Sequence, residues 1–185
     1  MKYDCLVFIG RFQPFHNGHK HIVEEGLKIS RKIIIFCGST NQERSVKNPW
    51  SYTERKICIS RSFNKTVFKR LYTLPLTDHP NDMIWVKRIE KKVKKVMAKD
   101  GVINIAVIGY QKNESSYYLK LFPKWHEVKV GNFKNIDATY IRKAIFTGKS
   151  KQEVIDKIQN LVPEGVLLFL LDFLETNIYL KLKDL

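Results

Sequence analysis

The ten residues from Gly10 to His19, GRFQPFHNGH, constrain the fold of this 185-residue chain more than any other stretch. The apolar run Cys5 to Ile9 before them predicts a buried strand, and the apolar spacing within Lys20 to Ile29 predicts a helix after them. We therefore expect the stretch to be a loop between a parallel strand and its following helix. In an open α/β sheet such loops bind ligands, and the N–H groups that open the helix favour an anion. We expect this anion to be a phosphate.

The side chains of this loop suit phosphate chemistry. Gly10 permits close approach of the backbone to a ligand, and Arg11 offers a planar fork to phosphate oxygens. His16 and His19 lie three residues apart around Gly18, so both imidazoles can donate hydrogen bonds to oxygens that gain charge in a transition state. A metal-binding pair is the alternative. A metal site would need a third ligand, and no Cys or carboxylate lies at a suitable spacing from the two histidines. We therefore expect no metal ligand from the protein side chains.

Apolar runs alternate with helical patterns along the chain. This succession predicts an α/β fold: a Rossmann-like, doubly wound parallel sheet of about five strands with helices on both faces and a C-terminal helical tail. The predicted strands are Tyr3 to Ile9, Lys32 to Gly38, Phe68 to Leu74, Ile103 to Ile108 and His126 to Val130. We expect a single domain over residues 1–185, with the core in 1–148 and the tail in 149–185.

The tail is expected to contain two helices. Ser150 with Glu153 forms a capping box, and Pro163 begins an apolar helix that runs through Leu174. The apolar surface of this last helix would permit a homo-oligomer. The longest apolar stretch of the chain, Val166 to Leu171, is too short to span a bilayer, and the N-terminus lacks a signal pattern, so we expect a cytoplasmic protein without a membrane partner.

Charge and cysteine content narrow the class of protein further. Lys and Arg number 33 against 18 Asp and Glu, and the net charge of +15 suits nucleotides and nucleic acid equally. Much of the excess lies in Lys87 to Lys99, whose pattern is typical of a solvated helix face, so we expect no nucleic-acid partner. Cys5, Cys37 and Cys58 lack CxxC spacing, which predicts reduced core thiols.

The loop after the second predicted strand carries two cations. Ser51 and Glu54 form a capping box, which predicts a helix from there to about Ser62. Arg44 and Lys47 therefore lie in the loop ahead of this helix, at the expected ligand edge of the sheet. For Arg44, a surface charge and a phosphate contact are equally good interpretations.

Two later helices open with residues that can reach a ligand. Asn81 or Asp82 can cap the helix that carries Trp85 in its first turn. Considered alone, a Trp in such a position more often belongs to the core. Thr139 and Arg142 lie about one turn apart at the start of a later helix, where a hydroxyl and a guanidinium can both contact a polyphosphate.

The GRFQPFHxGH form of the loop resembles the nicotinamide mononucleotide (NMN) adenylyltransferases, which belong to the HxGH nucleotidyltransferases. The run from Ser115 to Trp125, SSYYLKLFPKW, is similar to one branch in particular, the adenylyltransferase half of bacterial bifunctional NMN adenylyltransferase/Nudix hydrolases. The Nudix box is missing from this sequence, so we do not expect ADP-ribose pyrophosphatase activity. The resemblance implies an enzyme that joins NMN to the adenylyl group of ATP, with NAD and pyrophosphate as products.

The resemblance also implies roles for individual residues. The implied catalytic residues are His16, His19, Arg11 and Arg142. The implied ATP contacts are Ile9, Gly10, Phe12, His16, His19, Gly109, Ile136, Thr139 and Arg142, and the implied NMN contacts are Lys47, Asn81, Asp82 and Trp85. Trp85 would stack on the nicotinamide ring, a favourable arrangement for an aromatic side chain and a cationic pyridinium. Mg²⁺ is the implied cofactor and would be held mainly by the ATP phosphates.

This sequence departs from the branch at three positions. Tyr110 and Asn113 stand where the branch commonly has His and Asp. Asp137 replaces the Ser of a motif that is usually Ser-x-Thr-x-x-Arg. An aspartate can still cap the helix, but its charge would repel a phosphate.

Other functions remain open from the sequence. The two-histidine loop is also compatible with another adenylyl- or cytidylyltransferase that acts on phosphopantetheine or an alcohol phosphate. Asn81, Asp82 and Trp85 argue against that alternative. A protein of another class, either a non-catalytic nucleotide sensor or a basic nucleic-acid binder, would leave the joint presence of His16, His19 and Arg142 unexplained.

Overall fold

The computed structural model describes residues 1–101, 104–110 and 114–184. The chain forms two compact units whose segments alternate along the sequence. The first unit comprises Met1–Gly10, Ile22–Asn41 and Lys69–Asn132, and the second comprises Arg11–His21, Gln42–Phe68 and Phe133–Leu185. The expected division into residues 1–148 and 149–185 stays a prediction.

The first unit is built on a five-stranded parallel sheet, as predicted. Its strands are β1 (Tyr3–Gly10), β2 (Ser30–Cys37), β3 (Leu71–Pro75), β4 (Ile105–Gly109) and β5 (His126–Lys129). The strand order is β3-β2-β1-β4-β5, with Val7 of β1 paired to Ile34 on one side and Val107 on the other. The strand order reverses between β1 and β4, and ligands of such sheets bind at this switch point.

Helices cover both faces of this sheet. Helix α1 (Asn17–Ile29) packs Gly26 on one face, where a Cβ atom would lie 2.9 to 3.1 Å from the side chains of Ile33, Ile108 and Leu6. A side chain there would have to displace the ends of these buried side chains, so the close packing of α1 on the sheet favours glycine. On the other face, helix α4 (Asp82–Met97) contributes Ile89, Val93 and Met97 to the core with the alternate strand residues. The doubly wound fold predicted from the sequence is therefore confirmed.

The start of the third strand was predicted wrongly. Phe68 belongs to a short helix, α3 (Lys65–Phe68), and β3 begins at Leu71. The side chain of Asn64 accepts a hydrogen bond from the Val67 N–H at 2.9 Å. This local bond stabilises a helical turn that includes Phe68, so the strand begins after it. The predicted start of the fourth strand, Ile103, lies outside the described residues.

The second unit contains most of the remaining helices. They are α2 (Tyr52–Arg61), α5 (Ala138–Thr147), α6 (Lys151–Ile158), α7 (Glu164–Phe173) and α8 (Asn177–Lys183), while a 3₁₀ helix, Glu114–Leu121, belongs to the first unit. Helix α2 has the complete capping box that was predicted at Ser51 and Glu54. The described tail has three helices, not two, because Thr176 caps a further helix by accepting from the Tyr179 N–H at 3.1 Å. At Ser150 half of the predicted box forms, since Glu153 accepts from the Lys149 N–H.

Two other predictions concern burial. Cys5, Cys37 and Cys58 are buried reduced thiols, as predicted. The solvated face predicted for Lys87 to Lys99 is also observed, with Lys87, Lys91, Lys94 and Lys95 exposed on α4. Within the part of the chain that the structure describes, no helix has the length and apolar character needed to cross a membrane.

Candidate active site

His16 and His19 form a stacked pair in the second unit. Helix α1 begins at Asn17, so His19 lies in its first turn and His16 just precedes it. The ring centroids are 3.6 Å apart. The Nδ1 of His19 accepts the backbone N–H of His16 at 3.3 Å, and the Nδ1 of His16 accepts the backbone N–H of His19 at 3.4 Å. Because both Nδ1 atoms are acceptors, the neutral rings carry their proton on Nε2, the atom that can donate to a ligand.

Small and aromatic neighbours hold this pair. A Cβ atom on Gly18 would lie 3.1 Å from both Cε1 and Nδ1 of His16, so a side chain between the histidines would require the His16 ring to shift. The ring of Phe12 lies 4.9 Å from that of His19 and meets it edge-on, and Phe15 lies 5.5 Å away. Phe12 and Phe15 are buried, so they fix the His19 ring from the interior.

Arg142 is buried in the second unit near a second arginine. Its Nη1 donates to the Gln13 carbonyl at 2.7 Å, and its Nη2 donates to the Thr139 hydroxyl at 3.2 Å. Burial, together with the nearby charge of Arg11, lowers the pKa of Arg142. Two neighbouring guanidinium groups repel each other, and an anion between them relieves that repulsion. This arrangement suits a polyphosphate.

Asp137 is the N-cap of α5. Its side chain accepts from the Thr139 N–H, as the sequence predicted. Thr139 itself is exposed at the start of the helix, and Ile136 lies close to Gly18. The start of α5 therefore brings a hydroxyl and a buried guanidinium together, with a carboxylate beside them.

The two cations of the loop before α2 lie in different surroundings. Lys47 is exposed in a tight turn, which is closed by backbone bonds between Ser45 and Asn48. Arg44 donates to the Pro49 carbonyl at 2.7 Å and pairs with Glu54 at 2.8 Å. This pair joins Arg44 to the capping box of α2, which gives it a structural role, and its contact with a phosphate stays a prediction.

The first turn of α4 in the first unit carries the residues expected to contact NMN. Asn81 caps the helix by accepting from the Ile84 N–H at 3.1 Å. Asp82 accepts a hydrogen bond from the Tyr117 hydroxyl at 3.0 Å, a contact that the sequence did not indicate. Trp85 is half-buried, with its ring 6.3 Å from that of Tyr118 and 6.2 Å from that of Phe122. The predicted stacking role of Trp85 stays a prediction.

The carboxyl ends of β1 and β4 have packing partners of their own within the first unit. The Ile9 carbonyl accepts from the Tyr118 hydroxyl at 3.0 Å, and the Gly10 carbonyl accepts from the Gly38 N–H at 2.9 Å. A side chain at Gly109 would meet Leu119 at 3.0 Å. Glycine at that position therefore has a packing reason, whatever its contact with adenine.

Two of the three departures from the branch fall next to β4. The Tyr110 hydroxyl accepts from the Asn132 side chain at 3.0 Å. Asn113 lies outside the described residues. Tyr110 thus has a hydrogen-bond partner within the first unit.

Gln13 is a residue of the loop that the sequence analysis overlooked. It is buried, its amide N–H donates to the Trp50 carbonyl at 2.9 Å, and its amide oxygen accepts from the Trp50 N–H at 3.1 Å. The side chain of Gln13 thus fixes the loop to the residue before the capping box of α2. The polar character of Gln13, in a loop of aromatic residues, is the signal that could have marked it.

A divalent metal has no protein cage in the described residues. Among them, no group of three or more His, Cys, Asp or Glu side chains is placed to hold a metal ion. Mg²⁺ is commonly bound through substrate phosphates, with water completing its shell.

Comparison with known proteins relates this geometry to a family. The cytidylyltransferase-like family model matches residues 7–144. A nicotinamide/nicotinic acid mononucleotide adenylyltransferase from Acinetobacter baylyi is 38% identical over 184 residues, which cover 99% of this chain and 93% of the relative. A nicotinamide-nucleotide adenylyltransferase from Saccharolobus solfataricus is 29% identical over 156 residues, which cover 82% of this chain and 84% of the relative.

A solved structure agrees with these relatives. It is a bifunctional NMN adenylyltransferase/ADP ribose pyrophosphatase from Francisella tularensis, complexed with AMP and a Mn ion. It superposes with a TM-score of 0.81 at 35% identity, covering 98% of this chain and 52% of its own. This chain therefore spans about half the length of that protein.

The chain belongs to the cytidylyltransferase-like family. Its relatives described above are nucleotidyltransferases. The two-histidine loop, the α/β sheet and the family match agree on this class of enzyme. Within the family, the full-length similarity groups the chain with the nicotinamide-nucleotide adenylyltransferases of NAD biosynthesis. The resemblance inferred from GRFQPFHxGH is thereby confirmed.

Proposed function

We propose that this chain transfers the adenylyl group of ATP to NMN, giving NAD and pyrophosphate. The observation that carries the proposal is the reciprocal bonding of His16 and His19, which leaves Nε2–H as the donor of both rings. Two such donors on stacked rings suit an oxygen that gains negative charge in a transition state. The full-length similarity to an adenylyltransferase of mononucleotides supports the same reaction.

The reaction is a direct in-line displacement. A non-bridging oxygen of the NMN phosphate attacks the α-phosphorus of ATP, the bond from the α-phosphorus to the bridging oxygen breaks, and pyrophosphate takes the electron pair. The attacking phosphate is already anionic, so no general base is required, and catalysis depends on alignment and charge stabilisation. His16 and His19 stabilise the α-phosphate in this scheme.

The arginines and the start of α5 bind the polyphosphate. Arg11 and Arg142 hold the β- and γ-phosphates. Burial and then the charge of Arg11 lower the pKa of Arg142, and an anion bound to both guanidinium groups would offset these two effects. The Thr139 hydroxyl, which contacts Arg142 at 3.2 Å, adds a donor. Lys47 assists with phosphate binding from its exposed turn, and Arg44 is a further phosphate contact if it leaves Glu54.

Main-chain and apolar groups complete the ATP contacts in the proposal. These are Ile9, Gly10, Phe12, Gly109 and Ile136. Phe12 acts through its contact with the ring of His19. Mg²⁺ would be held mainly by the ATP phosphates and would supply positive charge to them.

The first turn of α4 binds the nicotinamide half of NMN. Trp85 stacks on the ring, and Asn81 and Asp82 lie in the same turn. The Tyr117 hydroxyl donates to the Asp82 carboxylate and fixes its position in this turn, beside the proposed ring site. A negative charge attracts a carboxamide N–H and repels the carboxylate of nicotinic acid mononucleotide, so we favour NMN over that analogue. Cytoplasmic location and homo-oligomerisation stay predictions.

Pyrophosphate release tests the proposal. The purified chain is given ATP and Mg²⁺ with NMN, nicotinic acid mononucleotide, phosphopantetheine or no acceptor, and NAD is measured in the products. We expect release with NMN, with NAD formed in equal amount. Release with phosphopantetheine but not NMN would favour the alternative transferase. If the protein binds ATP but releases no pyrophosphate with any acceptor, the result would contradict the proposal and favour a non-catalytic nucleotide sensor.

A further inference from the structure

Arg55 is a buried cation that the reaction described above does not use. It is the fourth residue of α2 and 2% exposed. Its Nη1 donates to the Arg11 carbonyl at 2.7 Å, and its Nε donates to the Ser51 carbonyl at 3.3 Å. A guanidinium is costly to bury unless it is bonded, so its contacts are expected to matter to the residues that make them.

The position of Arg55 does not favour its own helix. A cation in the first turn lies at the positive end of the helix dipole, where an acidic residue such as Glu54 is preferred. The guanidinium instead reaches a main-chain carbonyl that lies 44 residues earlier in the sequence. The side chain therefore joins the start of α2, through Ser51, to the loop that begins at Arg11.

Two buried arginines bracket one strained residue of that loop. Arg55 holds the carbonyl before Phe12, and Arg142 holds the carbonyl of Gln13 after it. The φ of Phe12 is 51°, a left-handed conformation that L-residues rarely adopt. The Phe12 ring in turn packs edge-on against His19. The bracket thus fixes both the direction in which Arg11 leaves the backbone and the support of the His19 ring.

We propose that Arg55 is a positioning residue for adenylyl transfer: its bond to the Arg11 carbonyl orients Arg11 toward the polyphosphate. This inference rests on the proposed function, because the phosphate contact of Arg11 is part of it. Arg55 does not touch ATP. It acts through the peptide that joins Arg11 to Phe12, so its effect on ATP requires the side chain of Arg11.

A double-mutant cycle tests this dependence. Arg55→Lys keeps the charge but cannot bond two separate carbonyls with a planar fork. It is measured alone and together with Arg11→Ala, with the dissociation constant for ATP from calorimetry and kcat with NMN as separate readouts. We expect Arg55→Lys alone to weaken ATP binding about tenfold. In the Arg11→Ala background we expect the same substitution to change the dissociation constant less than twofold.

A structural role alone would give a different pattern. In that case Arg55→Lys would lower the melting temperature, and its effect on the ATP dissociation constant would be the same with and without Arg11→Ala. That outcome overturns the proposal. Arg61→Lys, at the exposed end of the same helix, is the matched control and should leave ATP binding unchanged. If Arg55→Lys melts below the assay temperature, Arg55→Gln takes its place in the same cycle.

The readouts separate this inference from the proposed function. Calorimetry measures ATP binding without turnover, so the cycle can be completed even if NMN proves not to be the acceptor. Wild-type protein that binds ATP but makes no NAD would contradict the proposed function and leave the role of Arg55 to be decided by the cycle. If the enzyme makes NAD but the effects of the two substitutions on the ATP dissociation constant multiply in full, the role of Arg55 is contradicted and the proposed function stands.

Discussion

Asp137 is the N-cap of α5 and Arg142 is the fifth residue of that helix, and the Asp137 carboxylate opposes the burial and the Arg11 charge that lower the pKa of Arg142. The same carboxylate would repel an ATP phosphate bound there. Asp137→Ser keeps an oxygen that can cap the helix and removes the charge. We expect the KM for ATP to fall about fivefold at low salt, the size of one exposed charge contact, and less at high salt.

The control for this prediction is Asp137→Ala. It removes the same charge but also the cap, so it should lower the KM similarly while reducing the free energy of unfolding by about 1 kcal/mol. A KM for ATP that stays the same in both variants would mean that Asp137 does not face the phosphates. Steady-state kinetics and urea unfolding decide between these outcomes.

The histidine pair predicts which amide can replace a ring. The terminal amide nitrogen of Gln lies near the position of Nε2, whereas that of Asn lies near Nδ1. Because Nε2 is the donor in our mechanism, His19→Gln should retain more activity than His19→Asn, and His19→Ala should lose about 10²–10³-fold in kcat. The measurement is kcat at saturating ATP and NMN.

A third histidine of α1 serves as the control. His21 stacks on Phe133 at 4.7 Å, outside the pair, so His21→Ala should change kcat by less than about twofold. Equal losses for Gln and Asn at position 19 would argue against the Nε2 assignment. Circular dichroism spectra of all variants should match the wild type.

Gly18 allows activity and stability to be separated. Gly18→Ala places a Cβ atom 3.1 Å from the His16 ring, which must shift. We expect kcat to fall about tenfold, because small displacements of catalytic groups are costly. Alanine favours the helix by about 0.5–1 kcal/mol, so the melting temperature should hold or rise. Gly131→Ala, which meets no atom within 4 Å, should change neither quantity.

The Asp82–Tyr117 contact predicts acceptor preference. Asp82→Asn removes the charge beside the proposed ring site, so the ratio of kcat/KM for NMN to that for nicotinic acid mononucleotide should fall about fivefold. Tyr117→Phe should lower the ratio less, since it releases the carboxylate without neutralising it. Competition between the two acceptors in one reaction measures the ratio directly. A ratio that is unchanged in Asp82→Asn would exclude Asp82 from the discrimination.

Tyr118 predicts a pH-dependent stability. Burial raises its pKa to about 12, from an ordinary 10.0. As the pH rises, the unfolded chain therefore loses this proton first. The stabilisation is complete below pH 10.0 and is lost as the pH approaches 12, by on the order of 2 kcal/mol.

Tyr118→Phe isolates this effect. The variant lacks the bond to Ile9 and should be about 1 kcal/mol less stable than the wild type near neutral pH. It also lacks the alkaline loss, so the difference should shrink above pH 10.0. Burial raises the pKa of Cys5 to about 12 in both proteins, and its contribution cancels. Urea unfolding between pH 7 and 11 gives the difference, and a constant value would refute the prediction.

Much of the fold follows from local patterns. Apolar runs and caps such as Ser51 with Glu54 depend on residues close in sequence, and these were predicted well. The misplaced start of β3 and the missed helix α8 were also local, since each depends on a single capping side chain, Asn64 or Thr176, within an apolar pattern.

The sequence suggests a candidate site where its residues are contiguous. The loop from Gly10 to His19 holds the glycine, arginine and histidines that indicate phosphate binding within ten residues. The family resemblance implied the roles of the other site residues. The contacts of Arg55 with Arg11 and of Tyr117 with Asp82 join residues 44 and 35 positions apart. A charged or hydroxyl side chain in a helix is ordinarily exposed, so no local pattern marks such a pair.

The three buried thiols have a practical consequence. Cys5 and Cys37 lie in the first compact unit and Cys58 in the second, each 2% exposed or less. An alkylating reagent can reach them only when the surrounding structure opens, so the rate of labelling at each thiol reports local opening of its own unit. Native cysteines thus provide a probe of how ATP changes the dynamics of each unit separately, with no engineered label.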